Sequence, residues 1–265
     1  MDAHEPSDDA VLVERRDRVL VVTLNRPELR NAASPAVAAG IETAMDTLEH
    51  DPRLQVGVIT GAGGAFCSGA DLSEVLAGRM PETARRGLFG LVREVPDKTL
   101  IAAVEGLALA GGCELALACD LVVAARGARF GLPEVRHGLV ALGGGLIRLP
   151  RAIPHRIATE MALTGEPRTA EELHHHGLVN ILCEPGTALE TALGLADRIC
   201  RNSPVAVEAT RRVLRATLDA PSTAEAWARQ DALASLESLT ATDDFREGLA
   251  AFAGKRAPVW RRTAV

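Results

Sequence analysis

The stretch Val58–Leu72, "VITGAGGAFCSGADL", runs from β-branched residues into a glycine-rich turn. Backbone of this kind either cradles a phosphate or points bare N–H groups at a substrate, and the choice between the two decides the fold. A dinucleotide-binding fold would hold pyrophosphate on G-x-G-x-x-G between a strand and a helix. Gly61 and Gly63 supply the first two glycines, but Phe66 occupies the last position, and no acidic residue ends a following strand about 20 residues on. The chain has no tyrosine, the acid that a short-chain reductase would need. Ser68 is not the nucleophile of a G-x-S-x-G elbow either, because Phe66 stands two residues before it.

On the N-terminal side of this turn, "VLVER" and "VLVVTLNRP" around the polar "RDR" predict a hairpin that Pro27 ends. Ser34 and Pro35 then predict an N-cap with proline at the first helical position, for a helix reaching about His50. On the C-terminal side, Asp71–Arg93 reads as helical with a break near Pro81, "TLIAAVEG" as a strand, "GGCELALAC" as a short apolar helix, "DLVVAA" as a strand, and "ARFGLPEV" as a strand edge ending in a loop. This alternation across residues 11–135 predicts an α/β fold of repeated strand–helix units. From Ile153 onward the pattern reads as helical throughout, including amphipathic segments at Ser222–Glu237 and Asp243–Ala253.

Composition narrows the function classes. A chain of 265 residues with 47% hydrophobic content can bury a sizeable core. A formal charge of −6 without a basic block interleaved with aromatics argues against a nucleic-acid partner. The apolar region Leu100–Ala125 is interrupted by Glu105, Glu114 and Asp120, so no membrane span or membrane partner is expected. The opening "MDAHEPSDDA" lacks the basic start and apolar run of a signal peptide, so a cytoplasmic location is expected. Cys67, Cys113, Cys119, Cys183 and Cys200 form no C-x-x-C pair, which predicts reduced thiols. His174, His175 and His176 are consecutive, and consecutive helical residues splay about 100° apart, so no metal site is expected.

Two acidic residues stand out. Glu114 sits in an apolar run three residues beyond Gly111, and Glu134 follows "FGLP" in a loop after a strand. A carboxyl in apolar surroundings is costly unless hydrogen-bonded or protonated, and burial raises its pKa toward acid–base use.

The motifs together resemble one family. "AFCSGADL" (Ala65–Leu72) and "EGLALAGGCELALACDLVVAA" (Glu105–Ala125) are similar to the two signatures of the crotonase, or enoyl-CoA hydratase/isomerase, superfamily. "FGLPEV", "GLIRLPRAIP", "LTGEPRTAEEL", "GLVN" and "FREGLAAFAGKRAP" extend the resemblance over nearly the whole chain, in order. It implies a crotonase-like spiral of strand–strand–helix units over residues 1–198, and a helical C-terminal region over 199–265 that drives trimers or dimers of trimers. It also implies reversible syn addition of water to a trans-2-enoyl-CoA, with CoA as part of the substrate and no separate cofactor.

By the same resemblance, the backbone N–H groups of Ala70 and Gly111 hold the thioester oxygen. One such donor is typically worth roughly 3–4 kcal/mol of transition-state stabilisation. Glu114 corresponds to the residue that holds and activates water, and Glu134 to the one that transfers a proton at the α-carbon. The CoA contacts correspond to Arg30, Ala62, Ala70 and Asp71, with Phe252 and Lys255 reaching from a neighbouring subunit. Leu142 replaces a glycine usual near the water, and Ala110 replaces the first glycine of a common triple. An isomerase or specialised dehydratase of the same fold, and a non-catalytic acyl-CoA-binding subunit, are the alternatives.

Overall fold

The β-branched runs on either side of Asp17 close a hairpin: β1 (Val11–Arg16) pairs antiparallel with β2 (Val19–Leu24), from Val11 opposite Leu24 to Arg16 opposite Val19. The structure, a computed structural model, describes residues 9–261 apart from 234, 235, 237 and 238. Along the chain follow α1 (Pro35–His50), β3 (Val56–Gly61), α2 (Leu72–Leu76), β4 (Glu82–Thr83), β5 (Gly87–Leu88), β6 (Thr99–Val104), β7 (Leu107–Leu109), α3 (Gly111–Ala118), β8 (Leu121–Ala125) and β9 (Arg129–Gly131). Next come α4 (Gly145–Ala152), α5 (His155–Thr164), β10 (Arg168–Thr169), α6 (Ala170–His175), β11 (Ile181–Cys183), α7 (Ala188–Cys200), α8 (Pro204–Thr217), α9 (Thr223–Asp231) and, last among the described residues, α10 (Asp243–Ala253).

The main sheet runs β1-β2-β3-β6-β8-β11 and is parallel beyond its first pair. Parallel strands covered on both faces read as continuous apolar runs, and β6, "TLIAAV", is buried along its whole length. The strand period of two still sorts its side chains. Leu100, Ala102 and Val104 join a core with Ile41, Met45 and Leu48 of α1, whereas Ile101 and Ala103 join a second core with Ala188, Ala192 and Ala196 of α7. A smaller sheet, β10-β9-β7, lies beyond the first. The parallel bridge Cys67↔Ala108 adds the glycine-rich stretch to its β7 edge, and Ala33↔Ala70 ties the end of that stretch to the segment before α1.

Three expectations change. The helix expected over Asp71–Arg93 exists only as Leu72–Leu76, followed by the short pair β4–β5. Gly90 shows why: it has φ +63°, and a Cβ there would come within 2.1 Å of the Ala38 carbonyl oxygen, so this segment folds back against α1. The region after Ile153 is not wholly helical, because β11 pairs in parallel with β8 (Ile181 opposite Val123) and β10 pairs with β9. Runs of two and three residues are too short to carry a period of two. The segment expected as helical over Ser222–Glu237 is helical over Thr223–Asp231, and its residues 234, 235 and 237 lie outside the described residues. Residue 198 falls within α7, whose Cys200 still packs in the second core.

One buried side chain braces the loops that lead to the glycine-rich turn. Asn31, 1% exposed and at φ 57°, donates to the carbonyls of Ala62 (2.9 Å) and Ala65 (2.7 Å) and accepts from the N–H of Arg26 (2.9 Å). Asn tolerates this left-handed conformation better than most residues. Removing the amide strands buried backbone groups, so Asn31→Ala should lower unfolding stability by about 2–3 kcal/mol, read from urea denaturation.

Candidate active site

Three parallel stretches of backbone bring the site together. Residues 67–70 run beside β7, which runs beside β9. Each leaves its register at the same end: into the Gly69–Ala70 turn, into α3 at Gly111, and into the short 3-10 helix Pro133–His137 that carries Glu134. Gly69 has φ +112°, and a Cβ on it would lie 2.8 Å from the Ala110 Cβ and 3.6 Å from the Gly111 nitrogen. The two turns therefore abut.

The bridge between Ala33 and Ala70 aims one of them. Its hydrogen bonds run from the Ala33 N–H to the Gly69 carbonyl (2.8 Å) and from the Asp71 N–H to the Ala33 carbonyl (2.9 Å). That pattern turns the N–H of Ala70 away from Ala33, and it has no partner among the described residues. Gly111 opens α3, where first-turn N–H groups lack intrahelical acceptors and the dipole is positive. The residue before it, Ala110, adopts φ 50°, ψ −129°, a strained backbone for alanine that costs of order 1–3 kcal/mol. Its N–H is held by the Gly131 carbonyl at 2.9 Å. The glycine pair itself serves packing: a Cβ on Gly111 would strike the Phe89 ring at 2.2 Å, and one on Gly112 the Cys67 carbonyl at 2.2 Å.

Ala70, Gly111, Glu114 and Glu134 all line one cavity of about 970 Å³. Glu114 is 2% exposed on α3; its Oε1 accepts the Gly145 N–H at 2.8 Å, and the Gly143 N–H also faces the carboxylate. A Cβ on Gly143 would stand 2.5 Å from Glu114 Oε2 and 2.7 Å from Leu88 Cδ2, so a side chain there would displace the carboxylate or Leu88. Burial raises the Glu114 pKa, and these two N–H groups pull against it. Glu134 is buried with Oε2 lacking a partner, and burial, reinforced by the Glu114 charge, pushes its pKa up to about 7. Two carboxyls of one cavity thus have different environments, one solvated by backbone N–H groups and one kept near neutrality.

The other expected residues lie around this centre rather than in it. Arg30 is exposed, and its carbonyl accepts the N–H of Ser68, a residue of the cavity wall. Ala62 uses its N–H on the Leu24 carbonyl and its own carbonyl on Asn31. The Asp71 carboxylate caps α2 through Ser73 and pairs with Arg26 at 2.9 Å, contacts that hold its pKa below the usual range. Phe252 is 87% exposed near the end of α10, and Lys255 follows it at φ 49°; neither lines the cavity. Leu142 lines the cavity with 86% exposure, at its open side. Among the described residues no cluster of His, Cys, Asp or Glu could hold a metal ion, and no helix is long and apolar enough to cross a membrane. Asn31, Gly143 and Gly145 were not singled out as site residues: the glycine run 143–145 stands beside Leu142, but nothing local to it tells that Glu114, 31 positions before Gly145, packs there, and the partners of the single polar Asn31 are also distant.

This α/β architecture, with the turns at Ala70 and Gly111 and the carboxyls of Glu114 and Glu134 on one cavity, is the crotonase fold. A family described as enoyl-CoA hydratase/isomerase matches residues 14–263. The crystal structure of an enoyl-CoA hydratase from Mycobacterium tuberculosis H37Rv superposes with a TM-score of 0.92 at 50% identity, covering 97% of this chain and 100% of that one. A mevalonyl-coenzyme A hydratase of Aspergillus fumigatus is 42% identical over 92% of this chain and 91% of its own length. The 2,3-dehydroadipyl-CoA hydratase of Escherichia coli is 40% identical over 94% of this chain and 97% of its own. The chain belongs to the enoyl-CoA hydratase/isomerase family, and it is an enzyme of the hydro-lyase type.

The buried Glu134 gives a pH signature. Folding favours its neutral form, so stability is lost as pH rises from the ordinary value of 4.5 through about 7. Glu134→Gln should match wild type in acid and exceed it in melting temperature above neutral pH, measured by calorimetry across that range.

Proposed function

We propose that the enzyme adds water reversibly and syn across the double bond of a trans-2-enoyl-CoA, giving a 3-hydroxyacyl-CoA. The observation that carries this reading is the convergence of Glu114 and Glu134 on the cavity that Ala70 and Gly111 also line. Glu114, whose carboxylate is stabilised by the Gly143 and Gly145 N–H groups, takes a proton from water as the water oxygen bonds to C3. The C2=C3 electron pair moves toward the thioester carbonyl, and the N–H groups of Ala70 and Gly111 hold the developing negative oxygen. Glu134, poised to be protonated near neutrality, delivers its proton to C2 as the carbonyl re-forms. A proton then passes from Glu114 back to Glu134, and the net change is one water added.

CoA lies, on this reading, along Arg30, Ala62 and Asp71 toward Ala70. Phe252, exposed in the single chain together with Leu249 and Trp227, is covered when three chains associate, and it and Lys255 then reach the CoA of the adjacent subunit.

The reading is checked by loss of enoyl-thioester absorbance on adding trans-2-enoyl-CoA in ¹⁸O water. Wild type should incorporate solvent oxygen, and Glu114→Gln and Glu134→Gln should each lose on the order of 10²-fold or more in kcat with circular dichroism unchanged. A double-bond shift without solvent oxygen would mean an isomerase instead.

A further inference from the structure

The two N–H groups that hold Glu114 belong to a run of three glycines, Gly143–Gly145, and glycine has no side chain to restrict its backbone. Contacts from outside the run therefore have to fix it. Arg148, three residues beyond Gly145 and so about one turn along α4, supplies several of them. Its own N–H donates to the Gly144 carbonyl at 2.8 Å, and its Nη1 donates to the Gly143 carbonyl at 3.4 Å. A Cβ on Gly144, which has φ +95°, would stand 2.2 Å from Nη1, so the guanidinium lies directly against the run. The Gly143–Gly144 peptide stands between the two peptides whose N–H groups face Glu114, and holding it restricts the tilt of both neighbours.

The other prong of the guanidinium reaches a different part of the site. Nη2 donates to the Val92 carbonyl at 2.6 Å. Val92 closes a turn by donating to the Leu88 carbonyl at 3.3 Å, and within that turn Phe89, at φ 57°, fills the space a Cβ on Gly111 would need. One fork thus joins the turn packed against Gly111 to the loop around Glu114. A planar guanidinium with several fixed donors suits this task better than a single ammonium.

Arg148 also acts on Glu114 through its charge. Burial raises the Glu114 pKa, and the Gly145 N–H, the Gly143 N–H and the Arg148 charge lower it. The other titratable groups near Glu114 are Glu134, whose own pKa the Glu114 charge raises, and Cys113 on α3, a thiol that burial keeps neutral. Glu82, Arg93 and His137 line the same cavity, where Arg151 is paired with Asp219 at 2.6 Å.

We infer that Arg148 is a positioning residue for Glu114: its fork ties the Gly143–Gly144 peptide to the Val92 turn and so keeps the loop's N–H groups on the carboxylate. The inference rests on the hydration reading above, in which Glu114 must be ionised to take a proton from water.

Two variants separate position from charge. Arg148→Lys keeps a cation but loses the fork, and Arg148→Gln keeps a neutral donor. For each, kcat and KM on trans-2-enoyl-CoA are followed against pH. The Glu114 carboxyl is titrated directly by infrared spectroscopy of protein labelled with ¹³C-glutamate, its band being the one missing from Glu114→Gln. Both variants should lose about 10- to 100-fold in plateau kcat with KM within about threefold of wild type, the scale of a group misplaced by about 1 Å. In Arg148→Gln alone, Glu114 should also titrate at higher pH than in wild type. The acid limb of kcat/KM should move with it, so that the loss on that limb exceeds the plateau loss by about tenfold. Wild-type kcat in Arg148→Lys, a change confined to KM, or an unmoved Glu114 titration in Arg148→Gln would each overturn the inference. Should Arg148→Gln fail to fold by circular dichroism, kcat of Arg148→Lys decides. The infrared titration needs no turnover, so a displaced Glu114 band in Arg148→Gln with no hydration by wild type would count against the hydration reading and support the positioning.

Discussion

The parallel bridge between Ala33 and Ala70 is the contact on which the site depends. It consumes the Gly69 carbonyl and the Asp71 N–H, and by the alternation of a parallel ladder it leaves the N–H of the residue between them facing the cavity. Everything that stabilises this bridge therefore acts on the direction of that N–H. Asn31 ties the loop before it to the loop after β3, and Arg26 reaches from that same loop to Asp71. The chain places a set of small contacts, none with an obvious chemical role, around one backbone group.

Backbone strain is concentrated at the neighbouring turn. Ala110 holds a conformation that glycine would adopt freely, and its N–H bond to Gly131 and its contact with Gly69 keep it there. This is where β7 becomes α3, so the strained residue sets the direction in which the first N–H groups of the helix point. Glycine at 111 and 112 then lets α3 approach Phe89 and Cys67, which fixes Glu114, a turn further on, against the loop of Gly143 and Gly145.

The electrostatics of the cavity follow from solvation by backbone rather than from ion pairs. Glu114 has N–H partners and Glu134 lacks one on Oε2; burial raises the pKa of both, that of Glu134 to about 7, and the Gly145 and Gly143 N–H groups pull that of Glu114 back.

Much of this was legible in the amino-acid order. Local patterns settled β1, β2, α1 with its Ser34–Pro35 cap, the apolar strands β3, β6 and β8, the glycine-rich turn after β3 and the glycine pair that opens α3, because each is decided by residues within a few positions of one another. Glu114 stood out because a carboxyl in an apolar run needs a reason, and Glu134 because it follows a strand in a loop and, with Glu114, matches the two glutamates of the family it resembles. What tertiary structure alone decided are the features whose partners are far apart in the chain. Gly90 breaks an apparently helical segment because α1 lies against it, and β11 is a strand because β8 offers it an edge. Gly143 and Gly145 belong to the site because Glu114 packs on them, and Arg148 is held behind that loop by the carbonyls of Val92 and Gly143. Sequence pattern reports what a residue and its near neighbours prefer; which distant group arrives to satisfy or to leave unsatisfied a hydrogen bond, a charge or a Cβ-sized space is decided only when the layers pack.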